Sequence, residues 1–304
     1  MKTIKTHDRD FFYKYANYDT AINILDNLEV RWSSPKLFND PFDTQVGIHL
    51  DFTSEELIRS TREEIGKMIF AKEEPSLAND NPYSSLIKQL RKERHKLNPA
   101  KFTSKIIPEI IEDRNHFKKL LHDENLAFIQ EVKRMRVFCV SEIHDDLLMW
   151  AHYAGQHTGV VLKLKCIPEL DTALCAAREV KYRSKIPVLA TKEEYIKKYT
   201  GQIKDIDYGD VFEKLAVTKS EHWIYEEEWR CITFRPINEK LYDVYTLYPE
   251  EIDTIYLGCR MEKENRDNIL KLLTGKLKHV KVSMASRSRT QFSLDFDDIT
   301  KLER

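Results

Sequence analysis

An α+β fold, with strands and helices mixed irregularly, is predicted by three observations. Short aromatic and β-branched runs, FFYKY at Phe11 to Tyr15, VRWS at Val30 to Ser33, MRVFCVSE from Met135 and GVVLKLK from Gly159, have strand character. Between residues 54 and 134 the chain changes to helix-period segments rich in Lys, Glu, Ile and Leu. The elements do not alternate as regular βαβ units. We therefore expect one α+β domain over 1–304, carrying a helical insertion at 54–134.

The elements follow in order. After the first strand, Asp19 is placed to cap a helix through Leu28 whose apolar stripe is Ala21, Ile22, Ile24, Leu25 and Leu28. The second strand leads into SPKLFNDPFDTQVG, where Pro35 and the Asn39-Asp40-Pro41 step predict a structured turn. Beyond the insertion, Asp145 or Asp146 starts a short helix closed by Gly155, with Leu147, Leu148, Trp150, Ala151 and Ala154 as its core residues. In GVVLKLK, Val160, Leu162 and Leu164 alternate against more exposed positions. REVKYR at 178–183 predicts another strand, EEYIKKY another helix, and DVFEKLAVTKS a helix ending at Ser220. DTIYLG, MEKENRDNILKLLTG and HVKVSMA form a strand–helix–strand unit, followed after Arg287 and Arg289 by a last strand, TQFSLDF.

Composition narrows the function classes. Hydrophobic residues are 41% of 304 and aromatic ones 11%, enough for a sizeable core. The 49 basic and 50 acidic side chains leave a net charge of -1, so any nucleic-acid or membrane-surface binding needs a local patch. Five widely spaced cysteines contain no CxxC pair and indicate neither a zinc site nor a disulfide framework, which suits a reducing compartment. The N-terminus lacks the apolar run of a signal peptide and no stretch is long enough to span a bilayer, so we expect a cytoplasmic protein without membrane partners. No Gly-rich phosphate loop is present among the 8 glycines.

The stretch EHWIYEEEWR, Glu221 to Arg230, carries the most chemistry. Taken as part of a strand, WIYEEEWRCITF puts Ile224, Glu226, Glu228 and Arg230 on one face and Trp223, Tyr225, Glu227 and Trp229 on the other. Glu226 and Glu228 then stand about 6.6 Å apart at a rise of roughly 3.3 Å per residue. Two carboxylates so placed can divide a reaction, one stabilising an oxocarbenium-like carbon and holding a ribose hydroxyl, the other orienting a nucleophile. Arg230 would keep them ionised or contact a phosphate. The competing reading is a solvated charge run, or a buried acidic network that only anchors the sheet.

Several stretches taken together, YKY, SSPKLFNDPFD, FCVSE, LLMWAHYAGQHTGVVL and K-x-x-x-W-x-Y-E-x-E-W-R, resemble the bacterial domain-of-unknown-function family 2971 (DUF2971) from Phe12 to Arg230. Their order is also similar, more distantly, to the ADP-ribosyltransferase pattern. That resemblance implies a mixed, largely antiparallel split β-sheet and NAD as the substrate, with transfer to an unknown protein or nucleic-acid acceptor or plain NAD hydrolysis, as in a toxin or phage-defence effector. It implies Lys14 (or Tyr13) at the first NAD-contacting position, Ser141 at the second, Glu226 and the catalytic Glu228 at the third, and Tyr153 stacking on nicotinamide. The sequence departs from the pattern in having a lysine where Arg or His is usual, and Val140-Ser141-Glu142 where a Ser-Thr-Ser run is usual.

Two alternatives stay open. Asp40 and Asp43, with Asn39 in the same NDPFD turn, could join Glu226 or Glu228 in a metal-dependent nuclease or phosphodiesterase, or simply cap their own backbone. His144, His152 and His157 crowd one region, but their spacing fits no metal-ligand pattern and no metal is expected; His152 beside Tyr153 is the most interesting of them. In the third case the protein is not an enzyme, and its insertion, including the basic run from Lys88 to Lys105, is a partner surface or a solvated helix.

Overall fold

The computed structural model describes residues 5–78, 81–110, 114–206 and 214–300. The chain divides into two compact units, one of Met1–Gln45, Glu131–Lys185 and Ala216–Arg304, the other of Val46–Gln130 and Ile186–Leu215. The α+β expectation holds, with a mixed and largely antiparallel sheet. The second unit departs from the expected 54–134 insertion at both ends, starting at Val46 and stopping at Gln130, and it also takes in 186–215.

The first unit is built on strands β1 (Phe11–Ala16), β2 (Glu29–Ser33), β3 (Met135–Ser141), β4 (Val160–Lys165), β5 (Arg178–Glu179), β6 (Lys181–Arg183), β7 (Thr218–Ser220), β8 (Glu228–Phe234), β9 (Tyr242–Thr246), β10 (Ile252–Leu257), β11 (Lys281–Arg287) and β12 (Leu294–Asp298). Ten of them form one sheet in the order β12-β11-β10-β4-β1-β3-β2-β9, with β8 pairing both β3 and β5. The parallel pair β10–β11 is joined through helix Lys263–Leu272, as the strand–helix–strand pattern predicts. β6 and β7 make a separate parallel pair.

The sheet is divided in the middle. β1 pairs β4 along its whole length, from Phe11 opposite Lys165 to Ala16 opposite Val160. β3 pairs β8 along its whole length, from Met135 opposite Phe234 to Ser141 opposite Glu228. Between β1 and β3 the register is the single pair Tyr13 and Ser141. Two well-paired halves are thus joined at one position, and the strands diverge from there.

Local chemistry explains the flanking elements. Helix Tyr18–Asn27 is capped by Asn17, whose side chain accepts from the Thr20 N–H, not by Asp19; Asp19 lies inside the first turn, where it complements the helix dipole. Leu28 leaves the helix in the left-handed region at φ 54 and donates to Ile24. Helix Leu147–Tyr153 starts at Asp146, which accepts from Met149, and buries Trp150 completely; Leu148 instead faces solvent. The indole N–H of Trp150 donates to the His144 carbonyl at 2.7 Å, satisfying its one polar atom. β4 is buried on both faces, because Val160, Leu162 and Leu164 join the main core while Val161 packs with Trp150 and Ala154 on the other side. The last strand begins at Leu294 rather than Thr290, since Ser288 and Ser293 close a hairpin ahead of it.

The second unit is helical: Ser54–Phe70, Pro82–Glu93, the greater part of Arg114–Arg134, and Lys192–Tyr199. Thr53 with Glu56, Asn81 with Ser84 and Thr191 with Glu194 form capping boxes. Its core joins Leu57, Ile65, Ile69, Ile87, Phe102 and Tyr195. The basic run is partly structural. Arg91 donates to the carbonyls of Met68, Ile69, Ala71 and Glu73, and Arg94 to Ala71, closing the C-terminal end of Ser54–Phe70. Lys92, Lys96 and Lys101 remain on the surface. Among the described residues no helix is long and apolar enough to cross a membrane.

Two predictions follow from this packing. A Cβ added to Gly159, at the entry to β4, would lie 2.2 Å from the Ala16 carbonyl oxygen, so Gly159→Ala is expected to cost about 1–3 kcal/mol, read as a lower thermal midpoint. Glu251 is buried at the start of β10, and burial pushes its carboxyl up to about 7. Between the unfolded value of about 4.5 and pH 7 the folded protein keeps a proton that the unfolded chain has lost. Its contribution to stability is therefore full below pH 4.5 and lost as pH rises through 7. Glu251→Gln should flatten that dependence and be the more stable protein at pH 8, by on the order of 1–3 kcal/mol, in urea unfolding.

Candidate active site

The acidic stretch is not one strand. Ser220 caps a 3-10 turn over Glu221–Glu226, Glu227 takes the left-handed region at φ 41, and β8 begins only at Glu228. Strand alternation therefore places Glu228 and Arg230 together, but it is the Glu227 pivot that returns Glu226 to them, and Ile224 is left exposed. The segment before it also differs from expectation. Thr218–Ser220 is strand β7, held parallel to β6 by backbone pairing, and residues 210–213 of the expected helix lie outside the described residues.

Arg230 is the hub. Its guanidinium, fully buried, meets both oxygens of Asp43 (Nη1–Oδ1 2.9 Å, Nη2–Oδ2 2.5 Å) and both of Glu228 (Nε–Oε1 2.8 Å, Nη2–Oε2 3.0 Å). Nη1 also donates to the Ala216 carbonyl at 2.8 Å. The expected phosphate contact of Arg230 is corrected by this geometry, since all its donors point into protein. Lys219 completes the cluster with its ammonium 2.5 Å from Glu226 Oε2, 3.1 Å from Glu228 Oε2 and 3.8 Å from Asp43 Oδ2. One lysine thus bridges the two glutamates.

The two glutamates are driven apart in acidity. Burial alone would raise Glu228, but Arg230 and Lys219 outweigh it and hold the carboxyl well below the usual range. Glu226 is raised, because its burial exceeds the pull of Lys219. Burial opposes the charge on Lys219, yet Glu228 and Glu226 raise it. Tyr153 donates its hydroxyl to Glu226 Oε1 at 2.6 Å, and burial beside that carboxylate raises the phenol.

These groups face a cavity of about 440 Å3 that opens where β1 and β3 diverge. Tyr13, Lys14, Asn39, Ser141, His152, Tyr153, Glu226 and Glu228 all line it, together with Asp43 and Lys219. Lys14 donates to the Cys139 carbonyl at 2.9 Å across the divided sheet, and burial pushes the pKa of its ammonium down. Ser141 donates to the Glu226 carbonyl at 2.7 Å and accepts from the Ile143 N–H, which fixes the loop carrying Glu226. His152 at the rim faces the Tyr225 hydroxyl at 3.1 Å.

Arg230 and Asp40 do not line the cavity. Asp40 Oδ1 accepts from the Phe42 N–H, the self-capping turn, while both oxygens of Asp43 are held by Arg230. The two aspartates are therefore not free as a metal pair. Among the described residues no three His, Cys, Asp or Glu side chains group to hold a metal ion. Lys219, Cys139 and Tyr182, whose hydroxyl accepts from the Glu228 N–H at 2.8 Å, received no role from the sequence. Lys219 nevertheless heads the K-x-x-x-W-x-Y-E-x-E-W-R motif, and that was the available signal.

Removing the hub charge leaves buried Asp43 and Glu228 with Lys219 as the one cation the cluster retains, so Arg230→Met is expected to destabilise by about 3–5 kcal/mol in urea unfolding. Asp43→Asn combined with Arg230→Met should recover part of that loss, because one buried carboxylate charge is then removed as well.

Comparison with curated proteins and with solved structures finds no match. A family model described as Protein of unknown function (DUF2971) matches residues 149–231, the span that holds Tyr153, Lys219, Glu226, Glu228 and Arg230. Across that span the chain carries the DUF2971 pattern, which supports the family resemblance borne by its sequence motifs.

Proposed function

We propose that the protein is an ADP-ribosyltransferase-like enzyme that binds NAD in the cavity between β1 and β3 and passes ADP-ribose to a macromolecule or to water. One observation carries this reading: Lys14, Ser141, Tyr153, Glu226 and Glu228, from separate segments of the chain, line one cavity at the division of the sheet. The substrate supplies an anomeric carbon whose bond to nicotinamide breaks with the electron pair leaving on the ring nitrogen. The ionised carboxylate of Glu228, held in place by Arg230 and Lys219, stabilises positive charge developing at that carbon. Glu226, the more basic of the two, orients the acceptor hydroxyl or water and takes its proton. After its bond to Cys139, Lys14 keeps two N–H donors for phosphate oxygens, and Tyr13 and Tyr153 offer ring surfaces.

A structural role for the cluster is the competing reading, favoured by one fact: Glu228 is only 5% exposed and both its oxygens are bonded to Arg230. Purified protein incubated with adenine-labelled NAD, with and without cell lysate as acceptor, separates the two. We expect NAD consumption or label transfer, about 100- to 1,000-fold weaker in Glu228→Gln and in Glu226→Gln, and a raised KM in Lys14→Ala. A folded wild type that does neither, with a Glu228→Gln variant of strongly lowered melting temperature, overturns the enzyme reading in favour of the structural one.

A further inference from the structure

A second cavity, of about 530 Å3, lies beside the β11–β12 hairpin, and it has a different chemistry. Its lining includes His157, Arg260, Arg287 and Arg289, together with Leu147 and Phe292. No Asp or Glu belongs to its lining. Arg287 and Arg289 enter no ion pair among the described residues, and Arg260 has one long hydrogen bond, to the Gln156 carbonyl at 3.3 Å. Three guanidiniums without a carboxylate are unusual in a chain whose basic and acidic residues cancel. The Nδ1 atom of His157 is buried without a hydrogen-bond partner. Phe292, at the turn closed by Ser288 and Ser293, is fully exposed.

From this combination we infer that the hairpin cavity binds single-stranded nucleic acid. The guanidiniums match phosphodiester oxygens. An exposed aromatic ring beside them offers a stacking surface for an unpaired base, which neither an acidic peptide nor a paired duplex supplies. The concavity has room for a base to enter, unlike the flat face that a lipid surface requires. Helix Leu147–Tyr153 contributes Leu147 here and Met149, His152 and Tyr153 to the first cavity, so a strand held at the hairpin lies one short helix from the proposed NAD site. The inference names a class of acceptor for that enzyme but stands on binding alone.

The test is fluorescence anisotropy of a fluorescein-labelled dT12 oligonucleotide with the full chain, without NAD. We expect salt-sensitive binding that weakens at least tenfold in R287Q/R289Q. The slope of log affinity against log salt should become shallower by about 1.4, two contacts at roughly 0.7 each. Phe292→Ser should weaken the single strand about fivefold or more and leave residual duplex binding unchanged. Two exposed lysines elsewhere serve as control, and K185Q/K276Q should bind as wild type. Absence of binding, equal loss in the control variant, or Phe292-dependent retention on phosphatidylserine vesicles in place of the oligonucleotide overturns the proposal. Glu228→Gln binding the oligonucleotide normally while failing to consume NAD keeps the two inferences apart.

Discussion

The bidentate clamp of Arg230 on Asp43 and Glu228 is the interaction on which the site depends. A guanidinium with no exposure is tolerable in a protein interior only when each of its donors finds an acceptor, and here five bonds to two carboxylates and one carbonyl achieve that. The same bonds tie the NDPFD turn to the start of β8 and remove Asp43 from other chemistry. They also keep Glu228 ionised, so that a fixed negative charge stands at the cavity wall. Lys219 then joins this pair to Glu226, whose burial leaves it the more basic carboxylate.

The divided sheet gives those charges an opening. Had β1 and β3 been paired along their length, backbone hydrogen bonds would have closed the space that Lys14 now crosses to reach Cys139. Each strand instead satisfies its backbone on the other side, β1 with β4 and β3 with β8. The division is stable because both halves are already complete ladders. Ser141 sits at the single joining pair and also anchors the loop of Glu226, so one residue couples sheet geometry to site geometry.

Strand identity was readable wherever β-branched and aromatic residues clustered between turns: β1, β2, β3, β4, β10 and β11 stand where their sequences predict, and so do the helix after Asp146 and the helix between β10 and β11. The acidic stretch misled because its aromatic content imitates a strand, while the backbone follows the Ser220 cap and the left-handed Glu227. Thr218–Ser220 was hidden in a helix-like pattern, since its strand state comes from pairing with β6, which lies far away in sequence. Of the site, Tyr13, Lys14, Ser141, Tyr153, Glu226 and Glu228 were legible and share one cavity. Arg230 and Asp43 were singled out, but their partnership joins residues too distant for any local pattern to show.

The sequence alone determined the element types, the near-neutral charge balance and the residues with the chemistry to act: two glutamates, a lysine, a serine and a tyrosine. These follow from side-chain type and spacing, which act over a few residues. Tertiary structure decided which of them remain free. Burial and long-range pairing turned Arg230 and Asp43 inward, brought Lys219 between Glu226 and Glu228, and set those two carboxylates at different acidities. Such effects depend on distances across the divided sheet, and only the packed chain fixes those.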